Sequence, residues 1–329
     1  MGVDVFCIEN PLVDLLVQVK DEFLEQMSLK KDHMMLVDES RYNYLIDNLE
    51  GYRMKAEPGG SGANTTLGIA QLGGSTAYCG KVGNDSYGRT YIEALEAAGV
   101  RSFVRDNGDI TGSTVILITP DAARTMNTFL GACQQLGPAD IPLEELKQAK
   151  SLYITGYLWD TASQQEAASL ALRTAGAEGV HVAMSLSDPF CVKRHRDDFR
   201  RILEGYVDLV FANQEEALEL TGKETTQEAM HELRTWCNGA VITMGGRGAY
   251  VSMGEEHAYL DPYPVKAVDT TGAGDAFAAG FMYAHSQGHS LYQCGRLGSY
   301  FAAQVIQRIG PRLEGDVRAL LAPVLNDPR

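Results

Sequence analysis

The run Asp269-Thr270-Thr271-Gly272-Ala273-Gly274-Asp275-Ala276-Phe277 carries the most informative chemistry in the chain. Its small residues Gly272, Ala273 and Gly274 open an expected helix whose inner stripe continues through Phe277 and Phe281. A helix N-terminus presents unpaired N–H groups and roughly half a positive charge. Without bulky side chains, an anion can approach those N–H groups closely. Asp275 stands in the same turn. A carboxylate there suits the helix dipole, but it also repels a bound anion unless it has chemical work. That work would be to accept a proton from an attacking hydroxyl while the N–H groups hold a transferring phosphoryl group. An acid and an anion hole sharing one turn favour this second reading.

Three more segments have the composition of a small-molecule site. Pro58-Gly59-Gly60-Ser61-Gly62-Ala63-Asn64-Thr65-Thr66 precedes an expected helix. Its glycines serve either a turn or the close approach of backbone to a substrate, with Asn64 offering a donor and an acceptor. Asn213-Gln214-Glu215-Glu216 follows the apolar run Val207–Ala212. Residues at the C-terminal ends of parallel strands line the usual crevice of an open α/β sheet, although Asn213 equally suits an N-cap. Thr243-Met244-Gly245-Gly246-Arg247-Gly248 ends another strand, where a glycine-rich hairpin turn would also account for it.

Other glycine-rich matches fail on spacing. Gly74 to Lys81 has one residue too many for a Walker A loop, and Val82 stands where Ser/Thr would ligate magnesium. Gly60-Ser61-Gly62 and Gly272-Ala273-Gly274 both lack the third glycine of a dinucleotide fingerprint. His195-Arg196-Asp197 resembles a protein-kinase catalytic loop, but Ile202 replaces its Asn.

The elements that must position these residues alternate. Strands are expected at about 3–8, 75–82, 151–156, 180–185, 207–212 and 239–244. Helices are expected at about 61–72, 86–98, 162–176, 190–203, 214–221 and 226–236, then 273–287, 290–308 and 314–325. This rhythm predicts a parallel sheet covered on both faces. Residues 12–19 and 52–57, and a hairpin of 113–119 with 124–130, break the rhythm. They read as a small antiparallel sheet that serves as a lid, an oligomer surface or decoration.

Composition bounds the partners. The 329 residues include 28 Lys+Arg against 43 Asp+Glu, a net charge of −15. So acidic a chain is unsuited to nucleic acid or to an anionic membrane, so phosphate handling must rely on local groups. No apolar run reaches the ~18 residues of a membrane helix. The six cysteines are scattered without zinc spacing, as expected of reduced thiols in a cytoplasmic protein.

Together the four segments resemble the ribokinase/PfkB carbohydrate kinase family, including its adenosine kinase branch, over essentially the whole chain. D-T-T-G-A-G-D at 269–275 and G-G-S-G-A-N at 59–64, followed by Leu72-Gly73-Gly74, carry the resemblance. It implies a single three-layer α/β domain over 1–329, with β-lid insertions at about 12–57 and 111–131. It implies Asp275 as catalytic base, with Gly272, Ala273 and Gly274 as its anion hole. Asn213 and Glu216 would organise magnesium and the ATP phosphates, and Thr243, Gly245 and Gly248 would bind nucleotide. Gly59, Gly60, Asn64 and Asp14 would bind the acceptor, with Arg124 either screening the transferring phosphate or lying exposed on the lid. Asp269 and Thr271 fall where some members bind a monovalent cation such as K+. The expected assembly is a monomer or homodimer.

The acceptor implied is a nucleoside or a sugar. Asn10-Pro11-x-x-Asp14 resembles the adenosine-kinase opening, departing from it at Glu9, where Gly is usual. Leu186-Ser187-Asp188-Pro189-Phe190 resembles that branch's L-S-x-P-F segment. The long stretch between Asp14 and Gly59 leaves room for a base, with Met34, Met35, Tyr42, Tyr44 and Tyr52 available to face it. These features point to adenosine, with ribose, fructose or a non-catalytic binding module as alternatives.

Overall fold

In a computed structural model the described residues are 2–121 and 123–325. Fourteen strands are found among them: β1 Val5–Ile8, β2 Val13–Gln18, β3 Met34–Leu36, β4 Met54–Pro58, β5 Thr76–Val82, β6 Arg101–Asp106, β7 Ser113–Ile118, β8 Arg124–Phe129, β9 Ser151–Thr155, β10 His181–Ser185, β11 Leu209–Asn213, β12 Gly239–Thr243, β13 Ala249–Met253 and β14 Glu256–Leu260. They form a nine-stranded sheet of order β14-β13-β12-β11-β10-β9-β1-β5-β6 and a five-stranded sheet of order β3-β8-β7-β2-β4. The large sheet is parallel from β6 to β12, and the β13–β14 hairpin extends it in antiparallel fashion. β1 and β9 are buried at every position, because helices cover both faces. One apolar cluster lies on each side of the sheet.

Helix Ala273–Ser286 sits in the first cluster. Phe277 and Phe281 are its buried stripe, and Phe281 meets Phe211 edge-on at 5.4 Å. It approaches helix Leu291–Val305 through glycine. A methyl group at Gly298 would lie 2.7 Å from Phe277 O, and one at Gly280 would lie 2.8 Å from Leu297 O. A close-packed seam with no room for a methylene holds the first turn, and so Asp275, in a fixed place.

Six of the seven parallel strands and the long helices fall where the residue pattern predicts, with ends shifted by up to three residues, whereas β6, β13 and β14 are not anticipated by it. Other elements differ. The small sheet is mixed: β2–β4 and β7–β8 are antiparallel, whereas β2–β7 and β3–β8 are parallel. Helices Asp21–Gln26 and Glu39–Asn48 lie between β2 and β4. The last predicted helix is only a 3-10 turn, Arg318–Leu320, and the short helix Ala322–Leu325. Gly310 and Gly315 at positive φ, with Pro311 between them, break the segment before it.

Candidate active site

The C-terminal ends of the parallel strands converge above the sheet. Glu9 and Asn10 follow β1, Tyr157 follows β9, Ser187 follows β10, and Asn213 and Thr243 end β11 and β12. Gly272 caps the helix Ala273–Ser286 in the left-handed region, at φ 73°. A side chain there would meet Pro311 Cβ at 2.5 Å, so this glycine is required by the fold as well. Gly274 differs: its φ is not positive and a Cβ would have nothing within 4 Å. The space in front of Gly274 is open to a ligand.

Asp275 is half-buried and held from the neighbouring helix Ser61–Leu72. Ser61 Oγ donates to its Oδ1 at 2.6 Å and Asn64 Nδ2 donates to its Oδ2 at 2.9 Å. Ser61 and Asn64 are three residues apart on a helix and therefore share a face. Burial pushes the Asp275 carboxyl up to about 6, and the two hydrogen bonds act against that rise. Asn64 Oδ1 is buried without a partner, as is Asn10 Nδ2. Buried polar atoms of this kind call for a ligand or water to satisfy them.

Two cavities flank this helix start. The first, of about 230 Å³, is lined by Asp14, Gly60, Ser61, Asn64 and Asp275 on its polar side. Leu12, Met34, Leu36, Ile116, Met126 and Tyr157 make its apolar side. The second, of about 280 Å³, is lined by Thr243, Gly245, Gly248, Ala273, Gly274 and Phe277, with Pro262, Tyr263 and Val265 beyond them. The turn Ala273-Gly274-Asp275 is their shared wall.

Asp14 on β2 faces Gly59 so closely that a Cβ at Gly59 would lie 2.3 Å from its Oδ2. Burial lifts the Asp14 carboxyl to about 7, with the Arg312 guanidinium opposing the rise. Gly60 has φ 91°, and a Cβ there would press on Asn10 O at 2.7 Å. Gly248, at φ 89°, packs on Leu260 O and turns the β12–β13 hairpin, so it is a hairpin turn as well as a cavity wall.

Asn213 and Glu216 meet each other outside the lining of either cavity. Asn213 Oδ1 accepts from Glu216 N at 2.9 Å, Glu216 Oε2 accepts from Asn213 N at 2.9 Å, and Asn213 Nδ2 donates to Glu216 Oε1 at 2.6 Å. This is a capping box. Burial lifts Glu216 to about 7, and the Asn213 N–H acts against that rise. Arg124, at the start of β8, pairs with Asp269, whose carboxylate also accepts from Thr271 N and Gly310 N. The guanidinium is therefore neither exposed nor free.

Of the residues offered for a base, Met34 lines the first cavity. Tyr42 is buried in the helix Glu39–Asn48, stacked on Phe129 at 4.9 Å, while Met35, Tyr44 and Tyr52 are exposed. Sequence reasoning passed over Ser61, although it lies inside the quoted glycine segment at helical spacing from Asn64. It also missed Arg312, which donates to Pro58 O and sits far from every motif, with no local signal.

A parallel α/β sheet with two cavities meeting at an aspartate and a helix N-terminus is the architecture of a phosphotransferase that uses an alcohol acceptor. Residues 28–316 match the pfkB family carbohydrate kinases, and the chain belongs to that family. It is 30% identical over 325 residues to the adenosine kinase of Saccharomyces cerevisiae, covering 92% of this chain and 94% of that one. The adenosine kinase structure from Sinorhizobium meliloti superposes with a TM-score of 0.91 at 37% identity, covering 98% of this chain and 99% of that one. A probable sugar kinase structure from Rhizobium etli also superposes with a TM-score of 0.91, at 38% identity and 98% coverage of both chains.

Proposed function

We propose that the chain is an ATP- and magnesium-dependent nucleoside kinase that phosphorylates the 5′-hydroxyl of adenosine. The carrying observation is that Asp275 faces the polar cavity while Gly274, one residue away, faces the other. An acceptor hydroxyl in the first cavity and a nucleotide in the second would meet across this turn. Asp14 would accept hydrogen bonds from the ribose diol, and the apolar side of the cavity would receive the base. Asp275, ionised above about pH 6, takes the hydroxyl proton, while the N–H groups at Gly272 and Gly274 hold the developing phosphoryl charge, the Ala273 N–H being already given to Thr270 O at 3.2 Å. The small sheet acts as the lid over the acceptor, within one kinase domain. Adenosine kinases among the relatives support the choice of acceptor.

Asn213 and Glu216 fit a water-mediated magnesium site. The Glu216 carboxylate already accepts two hydrogen bonds, and its remaining lone pairs suit coordinated waters better than direct ligation. Magnesium bound there would neutralise phosphate charge. Asp269 does not fit a K+ site, because Arg124 and two backbone N–H groups already occupy its carboxylate.

A coupled assay at fixed ATP over adenosine, 2′-deoxyadenosine, ribose and fructose tests the reading. Adenosine should be turned over fastest. Faster turnover of ribose or fructose would replace the nucleoside reading with a sugar kinase and leave the family assignment untouched.

A further inference from the structure

A carboxyl group in the lining of the acceptor cavity has no part in the mechanism above. Glu9 follows β1 and is 1% exposed. Its Oε2 lies 3.2 Å from Tyr78 Oη and its Oε1 accepts from Thr155 Oγ1 at 3.3 Å. Tyr91 Oη donates to Gly59 O at 3.0 Å and lies 3.4 Å from Tyr78 Oη. Each phenol has one proton to give, so these hydroxyls link through to the glycine strap only with Glu9 as the acid, donating to Tyr78 Oη, which donates to Tyr91 Oη, which donates to Gly59 O. The strap also rests directly on Glu9. A methyl group at Gly62 would lie 2.7 Å from its Cβ, and one at Gly60 would lie 3.1 Å from its Oε2. The same strap leads into Ser61 and Asn64, the two residues that hold Asp275.

The groups facing Glu9 are Cys7 on its own strand, Tyr78 on β5, Tyr91 on helix Ser86–Ala97 and Cys133 after β8, with Asp275 and Asp14 around the cavity. Burial pushes both thiols and both phenols well up, so all four are uncharged. Arg312 opposes the rise of Asp14 and of Tyr91 instead. An ionised Glu9 would add a negative charge beside two carboxylates, where a phosphoryl group must also enter. Burial, reinforced by the charge of Asp275, lifts Glu9 to about 8.

We propose that Glu9 is a positioning residue that works as the neutral acid, bracing the Gly59–Gly62 strap beneath Asp275, and that its ionisation switches the site off. The proposal rests on the kinase reading for its rate effect but not for its protonation state, and two measurements separate them. In thermal melts of the free protein, a folded-state acid raised above its unfolded value loses stability as pH climbs between the two. The melting temperature of the parent should therefore fall relative to Glu9→Gln between about pH 5 and about pH 8. A gap that stays constant overturns the proposal. In rate profiles, kcat/KM of the parent should drop about tenfold per pH unit above about pH 8, while Glu9→Gln holds its rate. A folded Glu9→Gln that is inactive at pH 7, or one whose alkaline limb is unchanged, overturns it. If Glu9→Gln does not fold, the parent profile still decides, because the absence of any limb between pH 7 and 9 is incompatible with the proposal. Tyr91→Phe, which cuts the link to Gly59, should raise the acceptor KM and leave the limb in place. A parent that phosphorylates nothing in the panel would defeat the kinase reading, and the melts would still decide the protonation of Glu9.

Discussion

At the scale of single residues, Asp275 balances burial against two hydrogen bonds, and its chemistry depends on that balance. A base must be ionised to accept a proton, so kcat should fall as pH drops through about 6. Ser61→Ala removes a hydrogen bond that favours the charged form, so the acid limb should move to higher pH in a kcat profile. Asp275→Asn keeps the shape and removes the proposed base. Its kcat should fall by roughly 10²–10⁴, with nucleotide binding measured calorimetrically largely retained. Gly274→Val tests the anion hole. With nothing near its Cβ position, the variant should fold normally by circular dichroism, at a helix cost of up to ~0.7 kcal/mol, and lose turnover. A folded and fully active variant would remove the helix start from the phosphoryl site.

Among the elements, the helix Ala273–Ser286 does the positioning, and its start is the sensitive point. Gly272→Ala would force a side chain into the left-handed region and onto Pro311. It should cost about 1–2 kcal/mol or more, read as a lowered denaturation midpoint. The alternating elements were legible because buried parallel strands are apolar throughout and the helices between them carry clear capping signals, such as Asn213 with Glu216 and Thr225 with Glu228. The site was legible wherever short side chains cluster at a helix start. The sequence was mute on partners made across long separations. Arg124 reaches Asp269 and Arg312 reaches Pro58, and neither pairing has a local pattern. The mixed pairing of the small sheet was illegible for a related reason. Its strands come from two distant stretches, and side-chain alternation reports which face is buried but not the direction of a neighbour.

For the molecule as a whole, Glu9, Asp14, Glu216 and Asp275 are all lifted above their ordinary values, chiefly by burial. Each is neutral in the fold over a range where the unfolded chain is ionised. The unfolded chain then binds fewer protons, so stability falls as pH rises from about 4 to about 8. Asp4, Asp85 and Asp269 are held below their ordinary value and act oppositely, losing stability as pH falls below about 4, and His181 and His285, lowered by burial, act in the same sense as pH falls through the ordinary imidazole range. The melting temperature should therefore peak in mildly acidic buffer and decline by several degrees, on the order of 5 °C, towards pH 8. A peak at or above pH 8 would contradict this. A site that concentrates buried acids thus makes the free protein less stable near pH 8 than in mild acid, as functional sites commonly do.

The contact between Gly59 and Asp14 also orders the mutational history open to this chain. The three atoms nearest a Cβ at Gly59 all belong to the Asp14 carboxylate. Alanine at 59 is therefore harmful while the Asp14 carboxylate remains and less so once it is gone, a case of epistasis. A lineage that keeps the Asp14 carboxylate cannot explore position 59, and one that has lost it is released from this contact. Asp14→Ala, which removes every atom beyond Cβ, should thus rescue the stability of Gly59→Ala in a double-mutant cycle without restoring turnover.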